Sequence, residues 1–418
     1  MLSKLLERHI YGLIVHHLES NSPLSNSQWG FQAGKSTVTA LLATTHDFLN
    51  HLEAGKEICA IFFDFCKAFD KVPHRPLIDK LGNLGLDNHI IQWITSYLTE
   101  RKQRVVLNGE TSEAACVLSG VPQGSVLGPL LFLIYVDGVM NLPISGGSRL
   151  VLYADDILLY RPISSQEDYA LLQRDIDNID SWVSDNYLQF NVAKCKYMLI
   201  SRRRHRVPPP VFTISNLQLE EVESFKYLGL LFATDLSWTT HITSICAKAK
   251  QILGMLYRQF YQQSQPGTLL KLYTSLVRPH LEYASPVWNP YKSKDITMLE
   301  SVQKFGCKLC TKQWDTGYDQ LLQLLDLPTL ARRRLYLDLS TMYKIVHGLV
   351  YFPPNIFVNR IGRTPNTTRP FLYSCPYAHT NYYQYSFVPR TVSAWNVLPL
   401  PVVSAELCSF KSNVWVHI

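Results

Sequence analysis

The chain has 418 residues, with 40 Lys and Arg against 33 Asp and Glu for a net charge of +7, and its 47% hydrophobic content suffices for about three ordinary domains of ~150 residues. The small basic excess suits a polyanionic partner without requiring one. Nine cysteines, irregularly spaced and several within apolar runs, suit a reducing compartment better than a disulfide framework.

Residues 1–20 predict a helix, with apolar residues at Leu2, Leu5, Leu6, Ile10, Leu13 and Ile14 and no apolar core long enough for a signal peptide. A chain that starts in a helix is expected to be a fragment of something longer. ICAIFFDF, residues 58–65, reads as a buried strand, and helical patterns follow over Pro76 to Leu84 and Asp87 to Leu98. Gln103 to Asn108 and Ala114 to Leu118 read as paired strands around an Asn108-Gly109 turn. Gly128-Pro129 opens a strongly apolar helix, since proline is tolerated in a first turn. The longest apolar stretch, Val126 to Val136, is too short to span a bilayer, so a soluble, intracellular protein with no membrane partner is expected.

LVLYADDILLY, residues 150–160, places Asp155 and Asp156 between two apolar runs that read as the strands of a hairpin. Adjacent like charges repel and raise each other's pKa, which calls for a cation nearby; the competing reading is a solvated turn. Glu167 to Asn186 is helical. A basic, proline-rich break, SRRRHRVPPP, precedes a short strand pair within Val211 to Phe232. Helices follow from about residue 236. Ile242, Ile245, Ala249, Leu253, Leu256 and Phe260 form one stripe, and Leu269 to Val277 and Ile296 to Leu309 continue the pattern. Lys304, Lys308 and Lys312 make one face basic, with Arg332-Arg333-Arg334 beyond; a solvated face competes with phosphate contact. Cys307 and Cys310 have metal-ligand spacing without a second pair. Residues 350–418, rich in Pro, Tyr and Asn, give no readable pattern.

Four further segments carry chemistry. In IFFDFCKAFD, residues 61–70, Asp64 interrupts a buried strand where an unpaired charge is costly, unless Lys67 or Lys71 pairs with it. SGVPQGSVLGPLLF, residues 119–132, has glycines that free the backbone for close approach to a ligand, and Gln123, which can donate and accept; a plain loop before a helix is the alternative. LQFNVAKCK, residues 188–196, is a polar turn carrying lysines. FKYLG, residues 225–229, is a short aromatic strand.

In their order and spacing these segments resemble the reverse transcriptase domain of non-LTR retrotransposons, most closely the jockey-like group. FFDFCKAFDKVPHRPLIDKL resembles the first catalytic motif, SGVPQGSVLGPLLFLIYVDGV the nucleotide-site motif and YADD the polymerase signature; QWGFQAGKSTVTALL resembles the fingers motif and YASPVWNPY the thumb region. The resemblance implies an α+β right-hand polymerase: fingers over 1–57, a palm with an antiparallel sheet over 58–232, a helical thumb over 233–345, and an extension over 346–418. The reverse transcriptase domain would occupy about 1–232.

The same resemblance implies an RNA-directed DNA polymerase. Asp64 and Asp155 would hold two Mg2+ ions, or Mn2+ in their place, with the carbonyl of Phe65, while Asp156 tunes the site and Tyr153 supports the hairpin. Lys35, Lys67 and Ala68 would touch the triphosphate, Gln123 and Gly124 would line the nucleotide pocket, and Phe69 would be the steric gate under the sugar. Lys194 would protonate pyrophosphate. Phe225, Tyr227, Leu228 and Gly229 would grip the primer. The implied partners are an RNA template, a DNA primer and dNTPs, with an endonuclease supplied separately or by the rest of a longer polyprotein, in nucleus and cytoplasm. Gln32 and Lys35 stand where the family often has arginine, and lysine offers a point charge rather than a planar fork. Two other readings are a catalytically silent RNA-binding derivative and a domesticated polymerase with a dedicated RNA.

Overall fold

Six of the seven residues in EICAIFF are apolar, and the Glu57–Phe63 strand they form is buried along its whole length. Such a run belongs at the centre of a sheet. The strand pairs antiparallel with Asp156–Ile163 on one side, Phe63 opposite Ile157, and with Lys196–Ile200 on the other, Ile58 opposite Ile200. The five-stranded order is Glu220–Glu221, Lys196–Ile200, Glu57–Phe63, Asp156–Ile163, Arg149–Tyr153. Gln28 adds a parallel bridge to Leu152 on the outermost strand. The structure, a computed structural model, describes residues 2–21, 23–203, 208–354, 356–358 and 371–418. Residues 204–207 of the basic break therefore lie outside the described residues, as do 355 and 359–370 of the C-terminal stretch.

The chain divides into two compact units, residues 1–36 with 56–223 and residues 37–55 with 224–418. In the first, Cys59, Ile61 and Phe63 share one sheet face, as the two-residue period of a strand requires. They join a core with Leu130, Leu131 and Ile134 of helix Leu127–Val136 and with Leu172, Ile176 and Ile179 of helix Gln166–Asp185. The latter helix starts at a capping box, Ser165 with Asp168, and Asp168 also pairs with Arg161 at 2.9 Å. In helix Leu2–Asn21 the buried stripe is Ile10, Ile14 and Leu18, whereas Leu5, Leu6 and Leu13 of the predicted apolar set are exposed. The expected strands around Asn108-Gly109 shrink to two two-residue ladders, with both turn residues at positive φ.

The second unit is helical around one hairpin, Ser224–Tyr227 with Leu230–Ala233. The hairpin counts with this unit rather than with the strands before it, as does helix Thr37–Glu53, whose Phe48 meets Phe232 edge-on at 6.5 Å. Helix Thr239–Phe260 buries Ile242, Ala249, Leu253 and Leu256 of the predicted stripe. The fold class is α+β, as the sequence predicts. Among the described residues no helix is long and apolar enough to cross a membrane.

Much of the basic run at 332–334 is spent inside this unit, not on a surface patch. Arg334 is buried and donates to Asn289, Arg333 pairs with Glu282, and Arg332 donates to the carbonyls of Trp415 and Ile418. Lys308 likewise donates to the carbonyl of Trp314. Asp338, fully buried, accepts from Arg390 at 2.9 and 3.1 Å and from Asn289 at 2.9 Å, which fastens helix Phe387–Trp395 to the helix that carries Asp338. Removing one partner of a buried ion pair strands the other charge. Arg390→Met should therefore lower the unfolding free energy by ~3–5 kcal/mol, read as an earlier urea midpoint by tryptophan fluorescence.

Candidate active site

Asp64 follows the last residue of the central strand, and Asp155 and Asp156 sit at the tip of the adjoining hairpin, where Tyr153 pairs with Asp156. With Phe63 opposite Ile157, the strand end carrying Asp64 lies beside that tip. Burial first, then the charge of Asp64, holds the Asp155 carboxyl above the usual range, although its own backbone N–H opposes the shift. Asp156 keeps solvent access, yet the protein packed around it, followed by the charges of Asp155 and Asp64, pushes its carboxyl up to about 6.

Asp64 is set from below by the turn at 188–196. Its carbonyl accepts from Asn191 N–H at 2.7 Å, and its own N–H donates to the buried Cys195 Sγ at 3.3 Å. The Phe190 ring packs against Phe63 at 4.9 Å and Phe65 at 5.0 Å, and Phe65 bridges Phe190 in the backbone. The two lysines of this turn part company: Lys194 Nζ stands 3.6 Å from Asp64 Oδ2, while Lys196 pairs with Glu220 at 2.6 Å. Asp64 Oδ2 is buried without a hydrogen bond among the described residues. A carboxylate oxygen held by no hydrogen bond, with the exposed Lys194 ammonium 3.6 Å away, stands beside two acids of raised pKa, a set of hard oxygen donors that fits a divalent cation such as Mg2+. Among the described residues no three His, Cys, Asp or Glu side chains form a ready coordination shell, so further oxygens would have to complete it.

The glycine-rich loop docks on the segment just after Asp64. Gly120, at φ +92°, donates to Val72 O at 2.7 Å, and a Cβ there would lie 2.7 Å from Asp70 O. Val121 N–H donates to Phe69 O at 2.9 Å and Gln123 Nε2 to Asp70 Oδ1 at 3.0 Å. Between loop and segment opens a cavity of about 560 Å3 lined by Lys67, Asp70, Arg101, Gln103, Ser119 and Gln123. Phe69 is half-buried and stacked on Phe132 at 4.4 Å. Glu7 of the first helix accepts from Val126 and Leu127 N–H at 2.7 and 3.2 Å, a negative charge at the start of the apolar helix that follows the loop. Asp70, Arg101 and Glu7 were not singled out by the sequence reading. Arg101 alone had a visible signal, a cation beside the 103–118 ladders.

Lys35 is placed differently from a free phosphate ligand. It is half-buried, donates to the carbonyls of Asn26 and Gln28 at 3.0 and 2.8 Å, and burial lowers its pKa to about 8. In the second unit, Leu228 and Gly229, at φ 44° and 86°, form the two-residue turn of the Phe225-to-Phe232 pairing, and Tyr283 OH donates to Leu228 O at 3.0 Å. Cys307 and Cys310 are fully buried in this unit, and burial pushes each thiol up to about 12.

Residues 1–232 match the family model described as reverse transcriptase (RNA-dependent DNA polymerase). The chain belongs to the reverse transcriptase family. Its relatives include the probable RNA-directed DNA polymerase from transposon X-element of Drosophila melanogaster, 29% identical over 74% of this chain and 34% of that protein. The RNA-directed DNA polymerase from mobile element jockey of Drosophila funebris is 29% identical over 86% of this chain and 40% of that protein. This reverse transcriptase chain thus spans between a third and two fifths of the length of these curated relatives. Among solved structures, apo telomerase from Candida tropicalis aligns over 84% of this chain and 60% of that one, at 12% identity and a TM-score of 0.44.

The crowding of carboxylates has a thermodynamic sign. An acid whose folded pKa is raised binds its proton more tightly in the folded state, so it lowers stability as pH rises from its ordinary value of 3.8 toward about 6, with the full penalty above that. Solvent access at Asp156 tempers the size. Asp156→Asn should raise the melting temperature of metal-free protein at pH 8 and leave it nearly unchanged at pH 4, as measured by differential scanning calorimetry in EDTA.

Proposed function

We propose that this chain copies an RNA template into DNA, transferring deoxynucleotides to a primer 3′-hydroxyl. The observation that carries the reading is the convergence of Asp64 with Asp155 and Asp156 across one antiparallel strand pair. Two Mg2+ ions, or Mn2+, would activate the attacking hydroxyl and stabilise the leaving pyrophosphate when bound. Asp64, Asp155 and the Phe65 carbonyl would hold them, with substrate phosphate oxygens completing the shell in the manner Mg2+ favours. Asp156 adds negative charge beside that pair. Lys194, whose exposed side chain reaches Asp64, would give a proton to the leaving pyrophosphate.

The cavity beside Gln123 would take the incoming nucleotide. Lys67, at the left-handed residue that opens helix Ala68–Lys71, would meet the triphosphate with the N–H of Ala68, and Gln123 with Gly124 would border the base and sugar. Phe69 would exclude a 2′-hydroxyl, and the Phe225 to Gly229 hairpin would hold the primer backbone. In this reading residues 58–232 are the palm and 233–345 the thumb, and the protein works in nucleus and cytoplasm with an endonuclease supplied separately or by the rest of a longer polyprotein. A relative in Popillia japonica carries the name Pol polyprotein from type-1 retrotransposable element R2. The retention of all three carboxylates and of the contacts that set them favours an active enzyme over a silent RNA-binding derivative.

Asp155→Ala and Asp64→Ala should each lower primer extension on an RNA template by on the order of 10²–10³ or more while circular dichroism stays near wild type and the melting temperature does not fall. Extension by either variant at near wild-type rate would remove the assignment. In the same assay Phe69→Val should keep dNTP use and gain rNTP incorporation, read as the ratio of the two kcat/KM values; an unchanged ratio with both activities reduced would make Phe69 a core residue.

A further inference from the structure

Gln28 is fully buried, and its side chain touches the hairpin that carries Asp155. Its Oε1 accepts two N–H groups, from Gly30 at 2.8 Å and from Ala154 at 3.0 Å. Two backbone donors on one atom fix which end of the amide is oxygen. Ala154 is the residue before Asp155 and sits at φ 56°, a left-handed conformation that an L side chain adopts at a cost. The same segment hydrogen-bonds the strand leading into the tip: Trp29 N–H donates to Leu152 O at 2.7 Å, and Leu152 N–H donates to Ser27 O at 3.0 Å. Gly30 lies so close that a Cβ would fall 2.5 Å from Ala154 N. The stretch QWGF is therefore wrapped around the hairpin tip from a sequence distance of 126 residues.

We infer that Gln28 is a positioning residue, which locks Ala154 in its left-handed turn and thereby aims the Asp155 carboxylate. The inference rests on the assignment of Asp155 as a metal ligand. A carboxamide oxygen suits the task because it accepts two N–H groups without adding negative charge beside Asp155 and Asp156. Groups that orient a metal ligand from behind are typically worth 10–100-fold in metal affinity or activity. Ala154 supplies the test of mechanism, since glycine reaches the left-handed region without the Cβ penalty.

The experiment compares wild type, Gln28→Met, Ala154→Gly, the double variant Gln28→Met/Ala154→Gly, and Gly30→Ala, with Asp155→Ala as reference. Calorimetric titration with Mn2+ alone and steady-state primer extension are the readouts, with melting temperature as control. Gln28→Met and Gly30→Ala should weaken Mn2+ binding and lower kcat by about 10–100-fold with the dNTP KM within about twofold. In the Gln28→Met background, Ala154→Gly should recover about fivefold, the scale of the left-handed penalty. Additive losses with no recovery would overturn the inference, as would losses matching the unfolded fraction or unchanged Mn2+ affinity in Gln28→Met. Extension by Asp155→Ala would instead overturn the catalytic reading on which the inference rests.

Discussion

The antiparallel pairing of Glu57–Phe63 with Asp156–Ile163 is the constraint on which the rest depends. Asp64 and Asp155 are 91 positions apart in the chain, and only the register that sets Phe63 opposite Ile157 brings them to one place. A one-residue slip would turn each strand's side chains to the opposite face and separate the acids. Burial of Cys59, Ile61 and Phe63 against the Leu127–Val136 and Gln166–Asp185 helices makes such a slip costly. The hydrophobic core thus sets the geometry of the candidate site by setting the register.

Burying these acids, and then bringing their charges together, opposes folding and raises the carboxyls of Asp155 and Asp156. The fold meets this with neutral supports. Cys195 and Asn191 bond the backbone of Asp64, Phe190 fills the space beneath it, and Gln28 bonds the backbone of Ala154. None of these adds negative charge. The Lys194 ammonium that pairs with Asp64 stays largely exposed, so it offsets little of the repulsion. The remaining deficit of positive charge is what a divalent cation would supply.

The candidate site residues are legible in the sequence because a carboxylate inside an apolar run is expensive and must be explained. Asp64, Asp155 and Asp156 stand out for that reason, and Gln123 stands out by its glycine-rich setting. Their supports are not legible in the same way. Gln28 and Glu7 act on backbone N–H groups more than 100 residues away, and a contact of that kind leaves no local period. Charge runs mislead for the converse reason. Arg332 to Arg334 look like a surface patch until Glu282, Asn289 and the C-terminal carbonyls arrive from distant segments. Leu5, Leu6 and Leu13 show the same limit in apolar residues, since the helix that carries them buries a narrower stripe than its composition allows.

The central proposal is that Asp64 and Asp155, with Asp156 beside them, would share two divalent ions with the substrate. The direct measurement is the number of Mn2+ ions bound per chain, by electron paramagnetic resonance, in a complex with a dideoxy-terminated primer on an RNA template and the matching dNTP. The account predicts two ions in the wild-type complex and fewer than two when Asp64 is replaced by Asn. Two ions retained without Asp64, or a single ion in the wild-type complex, would contradict it.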